Sequence, residues 1–171
     1  SAAPTVVGEM VVLGSWDGVM RAFSRADGEL VWSYDAEEPV AAAASSCEGT
    51  SYFGPDDEAV TALDAATGEE LWTTEVDGRV RCCPALSGQF AVFGCMDGKV
   101  YGVDRDDGAL EWAFETDDEI LASPAIAGNI VYAGSKDGGL YALSLDSGDE
   151  LWRYSTSYAV YSSPATAEQM I

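Results

Sequence analysis

Carboxylates and thiols are the side chains of this sequence best suited to chemistry: thirty Asp plus Glu and four Cys, with no His in 171 residues. The missing His removes every His-dependent triad, general base and metal centre. Neither a GxSxG elbow nor a phosphate-cradling glycine loop is present. The cysteines Cys47, Cys82, Cys83 and Cys95 lack zinc-type spacing. Asp-rich turns such as Asp97-Gly98 and Asp106-Asp107-Gly108 invite a calcium reading. They lack the D-x-[DN]-x-[DN]-G spacing that gathers several oxygens on one ion, and an Asp-Gly pair is explained by the positive φ angles of a hairpin turn. Paired carboxylates for glycoside chemistry are uninformative, because thirty acids bring some pair together in any fold. No catalytic and no metal-binding residue is therefore assigned.

The elements that position these residues follow from a period of 40. Trp32, Trp72, Trp112 and Trp152 stand 40 apart, as do Gly14, Gly54, Gly94 and Gly134, and again Gly28, Gly68, Gly108 and Gly148. Asp17, Asp57, Asp97 and Asp137 form a fourth ladder, and Pro4, Pro84, Pro124 and Pro164 a fifth in which Ala44 takes the vacant place. Within one period the pattern is short strands between turn signals, with no stretch of helical spacing. In the third unit, residues 91–94 and 100–103 make a hairpin around Asp97-Gly98, a turn at 106–108 leads to the strand of Trp112, and residues 119–126 form the fourth strand. Four antiparallel strands per 40 residues, repeated, predict an all-β propeller segment. The blades span about 1–36, 37–76, 77–116 and 117–156, and residues 157–171 supply one inner strand of a further blade.

Residues 62–72 read A-x-D-x-x-T-G-x-x-x-W through Ala62, Asp64, Thr67, Gly68 and Trp72. That run resembles in full the tryptophan-docking motif of the pyrroloquinoline-quinone (PQQ) type of propeller. The other copies keep Gly and Trp but carry Ser24 and Asp27, Asp107, or Ser144 and Ser147 in place of motif residues. The Gly needs a left-handed turn, and the Trp offers a flat apolar surface with one N–H to place between sheets, so both ladders are structural. The resemblance implies rings of about eight blades, an innermost strand bearing the Pro and an outermost one bearing the Trp. It also implies an extracytoplasmic or cell-surface setting. The same blade serves quinoprotein dehydrogenases and non-catalytic scaffolds of outer-membrane assembly, so fold does not fix function. In the quinoprotein alcohol dehydrogenases a disulfide between neighbouring cysteines covers the cofactor, which makes Cys82 and Cys83 the cofactor-binding candidates. Their slot reads Ser-Pro after Ala122 and Ser162, so small residues packed near the ring axis are the favoured reading. The calcium-binding amides of such a site are also missing, Asn129 being the single asparagine, and no cofactor is expected.

Net charge is -22, with eight Lys plus Arg. A polyanion of this kind is repelled by nucleic acid and by anionic lipid, and no run of 18 apolar residues suggests membrane insertion. The repeat starts partway through its pattern, so the lack of a leader carries no weight on compartment. With 47% hydrophobic and 11% aromatic residues the acid must coat a folded body. Such acidic, lysine-poor surfaces resemble those of halophilic proteins, in which salt screens the carboxylates.

Function is expected where turns gather at one rim and the repeat breaks. Trp16 stands where other units carry Asp56, Met96 and Lys136; Arg79 and Arg81 lead into the third blade, and Tyr158 and Tyr161 lead beyond the fourth. Aromatics and Arg are common interface anchors, so Trp16, Arg79, Arg81, Lys136, Tyr158 and Tyr161 are the binding candidates. The expected function is a non-catalytic module for protein interaction or assembly, with an unidentified protein partner. A fragment of a PQQ-dependent dehydrogenase and a small-molecule or carbohydrate sensor are the alternatives. Because every blade buries two faces, four blades leave two bare, and pairing as a two-fold dimer that closes an eight-bladed ring is expected.

Overall fold

The structure, a computed structural model, describes residues 4–40, 44–55 and 58–165. The chain is all-β, and among the described residues no helix is long and apolar enough to cross a membrane. Four four-stranded antiparallel sheets follow one another along the sequence. They fall into two compact units, Ser1–Cys83 and Pro84–Ile171.

The first unit holds two sheets. One is β1 (Thr5–Val7), β2 (Met10–Gly14), β3 (Val19–Ser24) and β4 (Leu30–Asp35); the next is β5 (Ser45–Cys47), β6 (Thr50–Phe53), β7 (Ala59–Asp64) and β8 (Glu70–Glu75). The second unit holds β9 (Ala85–Ser87), β10 (Phe90–Gly94), β11 (Lys99–Asp104) and β12 (Leu110–Glu115), then β13 (Ala125–Ala127), β14 (Ile130–Gly134), β15 (Gly139–Ser144) and β16 (Glu150–Ser155). Each sheet pairs its strands in chain order, so each is a meander closed by short turns. Pro4, Pro84 and Pro124 immediately precede a first strand, where a residue without an N–H costs no ladder bond.

Two ladders of small residues explain themselves in this frame. A Cβ on Gly68 would lie 2.6 Å from the indole of Trp32, and one on Gly148 2.6 Å from that of Trp112. Both glycines also have φ near +75° (75° and 73°), a conformation that disfavours side chains. The second ladder packs on β-branched residues: Cβ atoms on Gly14, Gly54, Gly94 and Gly134 would stand 2.4, 2.7, 2.2 and 2.5 Å from Val40, Val80, Ile120 and Val160. The second ladder's partners are themselves 40 apart. Because Ile120 is stiff at χ1 and fully buried, Gly94→Ala is expected to destabilise by about 1–3 kcal/mol through overpacking. Urea unfolding measures it, and an unchanged midpoint would mean that Ile120 is not seated there.

Strand bounds differ from the sequence reading in one respect. The strand expected over 119–126 is confined to Ala125–Ala127, because residues before it close the preceding sheet. The Ile120 N–H is bonded to the Cys95 carbonyl at 3.0 Å, and Pro124 has no N–H to offer. Residues 160–165 repeat that path: the Val160 N–H is bonded to the Ser135 carbonyl at 3.0 Å. The remainder of the expected extra strand, 166–171, lies outside the described residues, as do Ala2, Asp56 and Asp57.

The Asp-Gly turns are also resolved. Gly18, Gly98 and Gly138 have φ of 81°, 88° and 88°, but their Asp neighbours do not cross into positive φ. The Gly98 N–H reaches the Cys95 carbonyl (3.2 Å) and the Cys95 N–H the Lys99 carbonyl (2.9 Å), which is a three-residue hairpin with one left-handed glycine. The aspartate works through its side chain instead, accepting the N–H two residues on: Asp17 from Val19, Asp97 from Lys99 and Asp137 from Gly139, at 3.1, 2.9 and 2.6 Å. The Asp of the docking motif does likewise, since Asp64 Oδ1 accepts the Ala66 and Thr67 N–H groups at 2.8 and 2.9 Å. Those bonds hold its carboxyl below the ordinary range.

Candidate functional site

Two surfaces emerge from this repeat, a rim of hairpin turns and the exposed face of the last sheet. The rim is built the same way in the first, third and fourth sheets. The turn between second and third strands is clamped by the segment that leaves the fourth: the Ala36, Thr116 and Thr156 N–H groups bond to the carbonyls of Gly18, Gly98 and Gly138 at 2.8, 2.8 and 2.7 Å. Turns and exits therefore share one end of their sheet.

On the first unit's rim Trp16 tops the β2–β3 turn and is 62% exposed. Arg79 and Arg81 are exposed on either side of buried Val80, in the exit from β8. The structure thus seats them on different sheets of one unit. On the second unit's rim three candidates do converge. Lys136 lies in the β14–β15 turn, its ammonium 2.9 Å from Glu119 Oε2 and 3.9 Å from Asp118. The hydrogen bond to Glu119 raises its pKa. The exit from β16 folds over the same turn, since Val160 bonds to the Ser135 carbonyl, and carries Tyr158 and Tyr161, both exposed. Beside them Arg153 lies 4.8 Å from the centroid of the Tyr141 ring and 3.5 Å from Asp137. Asp137 accepts the Tyr141 hydroxyl at 2.5 Å. Burial acts to raise this carboxyl, but the bonds from Tyr141 and the Gly139 N–H prevail and hold it low.

The last sheet adds a surface that the rim candidates do not include. Trp32 and Trp112 are 8% and 7% exposed, their Nε1–H groups donating to the carbonyls of Ala65 (3.0 Å) and Leu145 (2.8 Å) of the following sheet. Trp152 is 40% exposed. Tyr34 and Phe114, two residues further along β4 and β12, are half-buried against Phe53 and Tyr141, whereas Tyr154 is 64% exposed. Leu140, Tyr154, Val160 and Pro164 line a shallow, mostly apolar cleft of about 290 Å³ there.

The thiols have a packing environment. Cys82 is buried and Cys83 half-buried, and no disulfide joins them. Cys95 is fully buried, which pushes its thiol up to about 12 and leaves it protonated at neutral pH. Among the described residues no three His, Cys, Asp or Glu gather as a metal would require.

A meander of four strands, repeated every 40 residues and held by a Trp on a left-handed Gly, defines a propeller of the PQQ-type repeat class. The family profile described as outer membrane protein assembly factor BamB matches residues 1–51 and 43–168, and the chain belongs to that family. No curated protein matches the sequence. Among solved structures, BamB from Moraxella catarrhalis superposes with a TM-score of 0.82 at 22% identity, over 89% of this chain and 48% of that one. The quinohemoprotein alcohol dehydrogenase ADHIIG from Pseudomonas putida HK5 gives 0.80 at 19% identity, over 91% and 34%. The computationally designed Ika4 protein gives 0.75 at 25% identity, over 84% and 92%. This chain thus spans about half of BamB and a third of the dehydrogenase.

Proposed function

We propose that this chain is a non-catalytic propeller module for protein interaction or assembly. The observation that carries the reading is how its polar groups are used. Asp17, Asp64, Asp97 and Asp137 are engaged in turns, and Lys136 and Arg153 in ion pairs. Among the residues that the two rims leave to solvent are the aromatics Trp16, Tyr158 and Tyr161, the residue types that anchor interfaces. The family's description as an assembly factor agrees with this use. Lys136, Tyr158 and Tyr161 act as one contact patch, and Trp16, Arg79 and Arg81 as separate contacts.

The second reading, a piece of a quinone-dependent dehydrogenase, draws on the adjacent Cys82 and Cys83 and on the likeness to the quinohemoprotein fold. Calorimetric titration of the chain with pyrroloquinoline quinone, with and without calcium, separates the two. The assembly reading expects no binding in either buffer. Micromolar, calcium-dependent binding that disappears in Cys82→Ser/Cys83→Ser would replace it with the dehydrogenase reading.

A further inference from the structure

The sheet-to-sheet contact inside each unit has one format, seen twice. A Trp N–H donates to a carbonyl 33 residues on, Trp32 to Ala65 and Trp112 to Leu145. The same indole covers the left-handed glycine 36 residues on, Gly68 or Gly148, so closely that a Cβ would come within 2.6 Å of it. The giving residue recurs at Trp152, whose indole is 40% exposed. The receiving half recurs in the first sheet. By the 40-residue period the equivalents of Ala65 and Gly68 are Arg25 and Gly28. Gly28 has φ of 76°, matching 75° and 73° at the occupied positions, yet a Cβ on it would meet nothing within 4 Å.

The side chains around both halves follow the same logic. On the first sheet Val11, Leu13 and Phe23 are only part-buried, whereas their equivalents in β14 and β15, Val131, Ala133 and Leu143, are 0%, 1% and 0% exposed beneath the preceding sheet. On the last sheet Leu140 and Val160 are part-buried, whereas Met20 and Val40 of the first sheet are fully covered. Tyr34 reaches Phe53 of the next sheet at 6.1 Å and hydrogen-bonds Glu70. Carried to Tyr154, those partners become Leu13 and Leu30, both apolar, Leu30 being exposed.

We infer that the last sheet of one copy docks on the first sheet of a second copy, Trp152 donating to the Arg25 carbonyl of that copy and covering its Gly28. The occupant is a second copy because the receiving surface has the dimensions of an existing contact: a left-handed glycine with clear space above it, a carbonyl three residues before, and Leu13 and Leu30 beneath Tyr154. Two copies related by a two-fold axis make the contact twice, giving a closed pair. Seams of this apolar, sheet-on-sheet kind bury on the order of 2,000 Å². The inference rests on reading the chain as an assembly module. Each copy carries -22 charges, so pairing strengthens with salt.

Light scattering of the 171-residue chain in molar salt at micromolar concentration is expected to give twice 18.0 kDa. Trp152→Ala and Gly28→Ala should each halve that mass while far-UV circular dichroism stays that of the parent, since Trp152 is exposed and a Cβ at Gly28 clashes with nothing, its φ of 76° adding only a local strain that leaves the sheets formed. Mixing the two variants restores one intact contact, Trp152 from one copy on Gly28 of the other, and a two-copy mass should return. A wild-type mass of one copy would overturn the proposal and leave these faces to a further blade or a different protein. Masses that climb beyond two copies with concentration would replace the closed pair with open stacking, and a two-copy mass unmoved by both variants would place the interface elsewhere. The quinone titration is independent of all these outcomes, so failure here and failure of the non-catalytic reading are distinguishable.

Discussion

Trp112→Ala is expected to destabilise the protein by about 3–5 kcal/mol, the range for truncating a buried aromatic. The indole is 7% exposed, packs with Val100, Ile120, Val131 and Leu143 in one apolar cluster, and satisfies the Leu145 carbonyl at 2.8 Å. Its removal opens a void between two sheets and leaves a buried acceptor without its donor, and neither loss can be recovered by local collapse, because Gly148 offers no side chain to move in. Trp16→Ala serves as the contrast. At 62% exposure in a turn, that residue should change stability by no more than about 0.5 kcal/mol. Denaturant unfolding of both variants reads the difference. Small, equal effects would mean that the tryptophan ladder does not hold the sheets together.

Removing salt is expected to lower the melting temperature by on the order of 10 °C between molar and 0.05 M KCl, equivalent to a few kcal/mol for a chain of this size. The sign follows from comparing two electrostatic terms. The ion pairs of Arg21 with Asp17 and of Lys136 with Glu119 are part-exposed, and pairs of that kind contribute little to stability and are weakened by salt. Against them stand -22 net charges on one small body, whose mutual repulsion is screened only when the Debye length shrinks to about 3 Å near 1 M. Repulsion outweighs the pairs, so salt stabilises. A melting temperature independent of salt would show that the acidic coat is energetically neutral.

The sequence carried most of the fold because its signals repeat. Trp and Gly ladders at a period of 40 gave the sheets, their order and the docking residue, and each error was averaged out over four copies. What repetition does not display was read less well. The Asp-Gly turns looked like pairs of positive φ angles, whereas only Gly98 and its equivalents turn left-handed and Asp97 acts through its carboxylate; residue type alone does not separate a backbone role from a side-chain role. The bulge that slips Ala22/Phe23 against β4 is one residue of register, below what hydrophobic alternation resolves. The ladder of Val40, Val80, Ile120 and Val160 was visible but mixed among other aliphatics, and its meaning appears only once each residue is seen filling the space above a glycine. The binding candidates were chosen because they break the repeat. That criterion finds Lys136, Tyr158 and Tyr161 on one rim, but it is blind to Trp152, which breaks nothing in sequence and differs from its equivalents only in exposure.

Hydrogen exchange at the five indole N–H groups, followed by NMR on the 171-residue chain in molar salt, tests most directly the claim that this is a module built on repeated tryptophan docking. Trp32 and Trp112, bonded to the Ala65 and Leu145 carbonyls, should exchange only on global unfolding, and Trp16 at the rate of a free indole. Trp152 should be protected in the wild type and become fast in Gly28→Ala, a substitution 124 positions away in sequence. Trp32 and Trp112 exchanging as fast as Trp16 would contradict the account at its root.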